Sequence, residues 1–398
     1  MIDSVFDGLK VIDCASYIAA PAAATILGDF GADVIKIEPL SGDPYRGQRL
    51  TGPDAVSSID SNWALDSRNK RSLALNLASV EGQSILHRLV SDADVFIANY
   101  PEKVRKKLHL DYDELAKLNP RLIYALFSSF GEVGPEANKP GFDATVWWAR
   151  TGLMDMMRRR DTAPIRPGPG MGDHSAAVSL YAAIATALYK REKTGKGDFI
   201  GTSLLMDGLW ANASSVQMSI CGVDVQTQPE RIDFPTPLRN IYLCEDGKWI
   251  ILTVPNTDER FAVLQRVLNA PSLEDSRFKT LAGREQHRRD LTIILDKIFV
   301  NRTAAEWSRD LEVNGIAIGV QTPVSETWKD PQALASGAIV PTKGEPSLTV
   351  SSPFWIQSEN KRTPEEAPSI GQHTDEILRR AGYSNDQLKE LREKRVIG

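Results

Sequence analysis

A chain of 398 residues is longer than one hydrophobic core usually serves, so two domains are expected. Its apolar fraction of 42% and charged fraction of 25% are those of a globular protein, and a net charge of −5 speaks against nucleic acid as a partner. Three cysteines (Cys14, Cys221, Cys244) without a C-x-x-C pair, no apolar run of membrane-spanning length and an acidic rather than basic N-terminal stretch together predict a cytoplasmic protein with no membrane partner.

"KVIDCA" (Lys10–Ala15) reads as a short buried strand, "PAAATILGDFGA" as a helix with Pro21 in its first turn, and "DVIKIE" (Asp33–Glu38) as the next strand. Strand, helix and strand within about forty residues predict a parallel βαβ unit. The alternation continues through "SLALNL" (Ser72–Leu77), the helix "VEGQSILHRLVSDA", "DVFIANY" (Asp94–Tyr100), the helix "DYDELAKLN" and "LIYALFSSFG" (Leu122–Gly131). That rhythm predicts a doubly wound α/β domain. After Asp173, "HSAAVSLYAAIATALYKREKTGKG" predicts a long helix, small and apolar nearly all round and therefore buried, with basic residues in its last turn and Gly195 as its stop.

Beyond Gly222 the texture changes. A polar, proline-bearing stretch reads as a linker, "IYLCEDGKWIILTV" (Ile241–Val254) as a β-hairpin, and three helical segments follow before Thr322. The expected division is a large domain over 1–222, completed by 331–398, and a linker with a small α+β domain over 223–330.

No phosphate-binding G-x-x-x-x-G-K-[ST], H-E-x-x-H, G-x-S-x-G or EF-hand motif is present, and "GDFGAD" is neither a dinucleotide fingerprint nor placed like one. No metal site is expected. The five histidines (His87, His109, His174, His287 and His373) are scattered and read mostly as surface residues or helix caps. What stands out is "PGPGMGDHSAA" (Pro167–Ala177), where a stiff loop delivers one carboxylate, Asp173, to a helix start. As an N-cap, Asp173 contributes about 1 kcal/mol of stability. As an exposed carboxylate at a helix N-terminus, it is a candidate nucleophile.

Several stretches in order carry a resemblance: "DGLKVIDCASYIAAPAAATILGDFGADVIKIEPLSGDPYR", "SRNKRSLALNL", "ADVFIANYPEKVRKKLHLDYDELAKLNPRLIYA", "KPGFDATV", "GMGDHSAAVSLYAAIATALYKREKTGKG" and "GQHTDEILRRAGYSNDQLKELREKRV". Together they resemble the class III CoA-transferases over nearly the whole chain. The resemblance implies a Rossmann-like large domain with a parallel sheet, a smaller α+β domain and an interlocked homodimer. It implies transfer of coenzyme A from an acyl-CoA to a small carboxylic acid, with acyl-CoA as co-substrate and no metal.

Asp173 falls on the family's nucleophile, which attacks the thioester to form a mixed anhydride and then an aspartyl-CoA thioester. An ionised aspartate at neutral pH needs no general base for this. Tyr17, Ile18 and Ala19 fall on the loop beside the reacting thioester, and Leu75, Asn99, Tyr100 and Lys107 on CoA-contacting positions. The clusters "SRNKR" and "KVRKK" offer positive charge for the CoA phosphates, although such runs are also common on solvated helix faces. Asp143 falls on a commonly acidic position. Acyl-CoA racemases of the same fold carry a histidine where this chain has Phe142, which argues against α-proton exchange. Pro39 in place of an arginine, and no glycine run over 223–254, argue against an oxalate/formate pair. Trp147 and Trp148 are packing residues or line an acyl pocket for a larger acid. A racemase or epimerase, or a CoA-binding protein without turnover, are the remaining alternatives.

Overall fold

The computed structural model describes residues 4–48 and 57–398. In chain order the first part gives β1 (Lys10–Cys14), α1 (Ala19–Asp29), β2 (Asp33–Glu38), α2 (Ser61–Ser67), β3 (Lys70–Ala74), α3 (Val80–Val90), β4 (Val95–Ala98), α4 (Glu102–Lys107), α5 (Tyr112–Leu118) and β5 (Ile123–Ser128). There follow a single π-turn (Ala144–Trp148), α6 (Leu153–Met156), α7 (Met171–Thr194), β6 (Asp198–Ser203), α8 (Leu204–Ala211) and α9 (Ala213–Ile220). The six strands form one parallel sheet in the order β3-β2-β1-β4-β5-β6. Strand order therefore reverses between β1 and β4, the switch point of a doubly wound fold.

Alternate residues along each strand feed opposite faces. Val11, Val34, Val95, Ile123 and Ala125 pack under α1 and α7, while Ile12, Ile37, Phe96, Tyr124 and Leu126 pack under α3 and α5. Ile377, Leu378, Leu388 and Leu391, from the helices Thr374–Arg380 and Asn385–Glu393, join that second core. Leu75 bridges to Ile397 there.

β6 is an addition to the sequence reading, which assigned no strand after the Gly195 stop of the long helix. It pairs with β5 over Ile123↔Asp198 to Ser128↔Ser203. The helix itself is not buried all round. Its buried residues are Gly172, Ala176, Ala177, Leu180, Ile184, Ala187 and Arg191, a single stripe, and it ends at Gly195 with φ 70°.

The chain divides into two compact units, one of 1–154, 166–225 and 334–398, the other of 155–165 and 226–333. The segment 155–165 thus counts with the smaller unit, outside the sequence-based boundaries. That unit holds an antiparallel sheet of β7 (Ile241–Leu243), β8 (Trp249–Leu252) and β9 (Ile318–Val320). Its own core gathers Tyr242, Ile250, Phe261, Leu295, Phe299 and Trp307. No helix among the described residues is long and apolar enough to cross a membrane. No group of three or more His, Cys, Asp or Glu side chains able to hold a metal gathers among them either.

Candidate active site

Five strands deliver residues to one cavity of about 580 Å³ in the larger unit. Ser16 to Ala19 come from the turn after β1, Tyr45 and Gln48 from the stretch after β2, and Asn99 and Pro101 from the end of β4. Phe127 and Ser128 close β5, and Leu204 follows β6. A crevice outside the carboxyl ends of parallel strands, at the point where strand order reverses, is where this architecture binds ligands. Asn99 ties the two sides of that point together. Its amide oxygen accepts from the Ser16 N–H at 3.0 Å, and its amide nitrogen donates to the Ser16 carbonyl at 2.7 Å. Tyr17 then turns through φ 67°, a left-handed conformation that costs a residue with a Cβ about 1–2 kcal/mol. Its ring meets Phe142 edge-on at 6.1 Å.

Asp173 enters the same cavity from α7. The helix start differs from the N-cap reading. Gly170, with φ 69°, is the N-cap, the helix begins at Met171, and Asp173 stands in its first turn without capping it. Gly172 just before it admits no side chain, because a Cβ there would lie 2.6 Å from the Trp147 ring. Trp147 and Trp148 are core residues, and neither lines the cavity. Trp147 donates its indole N–H to Asp207 at 2.8 Å.

The Asp173 carboxyl is pushed up to about 7, first by burial and then by the negative charge of Asp143, with Asp66 adding to the rise and His174 opposing it. Burial and the neighbouring carboxylates thus oppose the full ionisation at neutral pH that the sequence reading assumed. Asp143 accepts from the Ala144 N–H at 2.6 Å with one oxygen, while its other oxygen is buried without a partner among the described residues.

Beneath the cavity lies a charge network that the sequence did not reveal. Lys70 Nζ donates to Asp13 at 2.9 Å, to the Pro21 carbonyl at 2.7 Å and to the Asp66 carbonyl at 2.8 Å. Lys36 Nζ pairs with Asp43 at 2.7 Å and donates to the Ala15 carbonyl. All four charged side chains are essentially out of solvent. Burial pushes the Asp13 carboxyl up, but the charges of Lys36 and Lys70 outweigh it and hold the group below its ordinary value. Asp43 in turn accepts from the Tyr45 N–H at 2.9 Å. The strained turn and the cavity wall thus stand on buried ion pairs.

Of the residues singled out from the sequence, the cavity unites Tyr17, Ile18, Ala19, Asn99 and Asp173. It leaves out Leu75, which is 1% exposed in the core, and Tyr100, which is half-buried against the same core. Lys107 is exposed at the end of α4.

The cluster "SRNKR" does not offer its charge outward. Arg68 pairs with Asp29 at 2.8 Å, Lys70 is buried as described, and Arg71 pairs with Asp33 at 2.6 Å. In "KVRKK", Arg105 pairs with Glu132 and Lys106 with Glu102, leaving Lys103 and Lys107 exposed and without an ion pair among the described residues. His174 is not a cap, and its side chain keeps 41% exposure. It is half-buried and bonded on both ring nitrogens.

Comparison with known proteins bears on the chemistry. The profile of CoA-transferase family III matches residues 6–374. The chain is 32% identical to the (R)-2-hydroxy-4-methylpentanoate CoA-transferase of Clostridioides difficile, over 99% of both chains. It is 30% identical to the cinnamoyl-CoA:phenyllactate CoA-transferase of Clostridium sporogenes, over 99% of this chain and 97% of that one. Among solved structures, a CAIB/BAIF family protein from Brucella suis superposes with a TM-score of 0.85 at 27% identity, covering 95% of this chain and all of the other. With the profile matching from before the first strand to the start of the penultimate helix, the chain belongs to CoA-transferase family III and is a class III CoA-transferase.

Proposed function

We propose that Asp173 is the nucleophile of this CoA-transferase. The observation that carries the proposal is its position: a half-buried carboxylate with no capping role, opening on a cavity at the sheet's switch point. The carboxylate attacks the acyl-CoA carbonyl carbon, the C–S bond breaks, and a mixed anhydride forms with release of CoA thiolate. The thiolate attacks the aspartyl carbonyl, the donor acid leaves, and an aspartyl-CoA thioester remains. An incoming carboxylate displaces the thiolate to form a second anhydride. The thiolate then attacks that acyl carbon, giving the new acyl-CoA and restoring Asp173. One thioester is consumed and one formed, so no other energy source is needed.

The first-turn N–H groups of α1, at Ala19 and Ala20, have no intrahelical acceptor and form the candidate oxyanion donors. Asn99, Tyr100 and Lys107 are the proposed CoA contacts, Leu75 being sealed in the core, with Lys103 and Lys107, unpaired among the described residues, for its phosphates. The cavity wall beside Asp173 carries Tyr17, Phe127 and Phe142, which favours a monocarboxylic acid with a branched or aromatic side chain. The two relatives named above act on acids of that kind by their names. A homodimer is proposed as the working form. α9 buries none of its residues, and Trp210 and Ile220 are 80% and 73% exposed, an apolar surface that a second chain would cover.

The test is intact mass after mixing the protein with acetyl-, 4-methylpentanoyl- and cinnamoyl-CoA without acceptor acid, followed by hydroxylamine trapping and peptide mapping. A hydroxamate at Asp173, absent from Asp173→Ala, is the expected outcome. Turnover retained by Asp173→Ala overturns the assignment. Exchange of the α-hydrogen for deuterium without any acceptor acid replaces it with racemisation.

A further inference from the structure

The residue after the proposed nucleophile is held in an unusual way. His174 Nδ1 lies 2.9 Å from the Gly170 carbonyl oxygen, and Nε2 lies 3.0 Å from an Asp66 carboxylate oxygen. A carbonyl oxygen only accepts, and so does an ionised carboxylate. Asp66 accepts on its other oxygen as well, from the Tyr45 hydroxyl at 3.1 Å. Its own carbonyl is fixed by Lys70 and by the Thr25 hydroxyl. With Asp66 ionised, each ring nitrogen faces an acceptor, and a ring that donates to both is an imidazolium. The ring also fills the space beside the αL N-cap, since a Cβ at Gly170 would lie 3.0 Å from Nδ1. His174 therefore joins the loop that presents Asp173 to α2.

The charges around Asp173 give this cation a purpose. From the loop before the π-turn comes Asp143, from α2 comes Asp66, and from its own helix comes His174. The two carboxylates oppose ionisation of Asp173, as burial does, and His174 favours it. His174 in turn faces Asp66, the Gly170 carbonyl and Asp173, with Tyr45 and Lys70 behind Asp66. We propose that His174 is a positioning residue that holds a positive charge between Asp66 and Gly170, and that this charge keeps the Asp173 carboxylate ionised for attack on the acyl-CoA. The proposal rests on the reading of Asp173 as nucleophile. Burial alone pulls the ring down, but the Asp66 hydrogen bond and charge outweigh it and raise the ring above its ordinary 6.5.

Two measurements on the full-length protein test it. The first is the ring chemical shift of His174 against pH, assigned by its disappearance in His174→Gln. A ring that titrates above 6.5 in the wild type, and falls in Asp66→Asn, is expected. A wild-type ring that titrates at or below 6.5 overturns the proposal, whether or not any variant folds.

The second is the pH profile of single-turnover acylation by whichever of acetyl-, 4-methylpentanoyl- or cinnamoyl-CoA gives the fastest trapped adduct. In His174→Gln, which keeps a donor and loses the charge, the acid limb should move up by about one pH unit. That is a roughly tenfold slower reaction at pH 6, with the deficit gone by pH 9. His174→Lys, which keeps the charge without the ring, should stay near the wild type at pH 6. An adduct at Asp173 with an unmoved acid limb in His174→Gln overturns this proposal alone. No adduct from any donor, with a ring that titrates high, overturns the nucleophile reading instead.

Discussion

Asp173 holds a charge that its surroundings disfavour. Its carboxyl is raised to about 7 against an ordinary 3.8, so the folded protein binds this proton more tightly than the unfolded chain does. Stability linked to the group therefore falls as pH rises from about 4 to about 7, and the penalty is complete above that. Asp173→Asn, which removes the charge and keeps the shape, should stabilise the protein at pH 8 by on the order of 2–4 kcal/mol. The advantage should vanish near pH 4. Thermal melts of both proteins at pH 4, 6 and 8 check this, and a constant difference across that range contradicts it. The glycine- and proline-rich loop and its single carboxylate were legible in the sequence. The αL turn at Gly170, which moves the helix start ahead of Asp173, was not, because any of three glycines in that loop is able to supply it.

At the scale of elements, the strands that sit deepest were the most readable. β1, β2, β4 and β5 are apolar runs between helix signals, and buried parallel strands look that way because both faces are covered. β6 escaped because "DFIGTS" is an edge strand that alternates in burial and carries Gly201. It needs that glycine because a Cβ would lie 2.4 Å from the Leu126 carbonyl oxygen. The basic cluster that runs into β3 was legible as charge but not as buried charge, since its partners Asp13, Asp29 and Asp33 lie 38 or more residues away in sequence. The network gives its own test. Lys70→Met strands Asp13 in the core with its nearest countercharge 3.8 Å away, and should destabilise the protein by about 3–5 kcal/mol in urea unfolding. Adding Asp13→Asn should recover part of that. If Lys70→Met unfolds at the wild-type midpoint, the ion pairs do not support the sheet.

For the whole molecule, the chain divides into two units near the change of texture at Gly222, and the tail, placed with the larger domain from the sequence because it has little core of its own, counts with that unit over 334–398. Its helices have ordinary amphipathic patterns, and only the tertiary structure shows Leu378 and Leu388 completing the core under β3 and β4. The exposed apolar surface of α8 and α9 also belongs to this scale. If a second chain covers it, sedimentation should give twice the 43.9 kDa chain mass, and Trp210→Asp should shift the equilibrium toward monomer. A monomeric wild type at micromolar concentration removes the dimer from the proposal.

The alanine-rich helix α1 has a consequence for the breadth of this family. All eleven of its residues are buried, and their small side chains let it pack closely on α7. Both helices start at the same cavity, through Ile18 and Ala19 on one and Gly170 and Asp173 on the other. The positive ends of two peptide dipoles therefore face this cavity, and they belong to the backbone. A field made of main-chain atoms survives replacement of any neighbouring side chain. The side chains that line the cavity are free to differ between relatives while this field stays, and the relatives named above carry names of a branched hydroxy acid and of aryl acids.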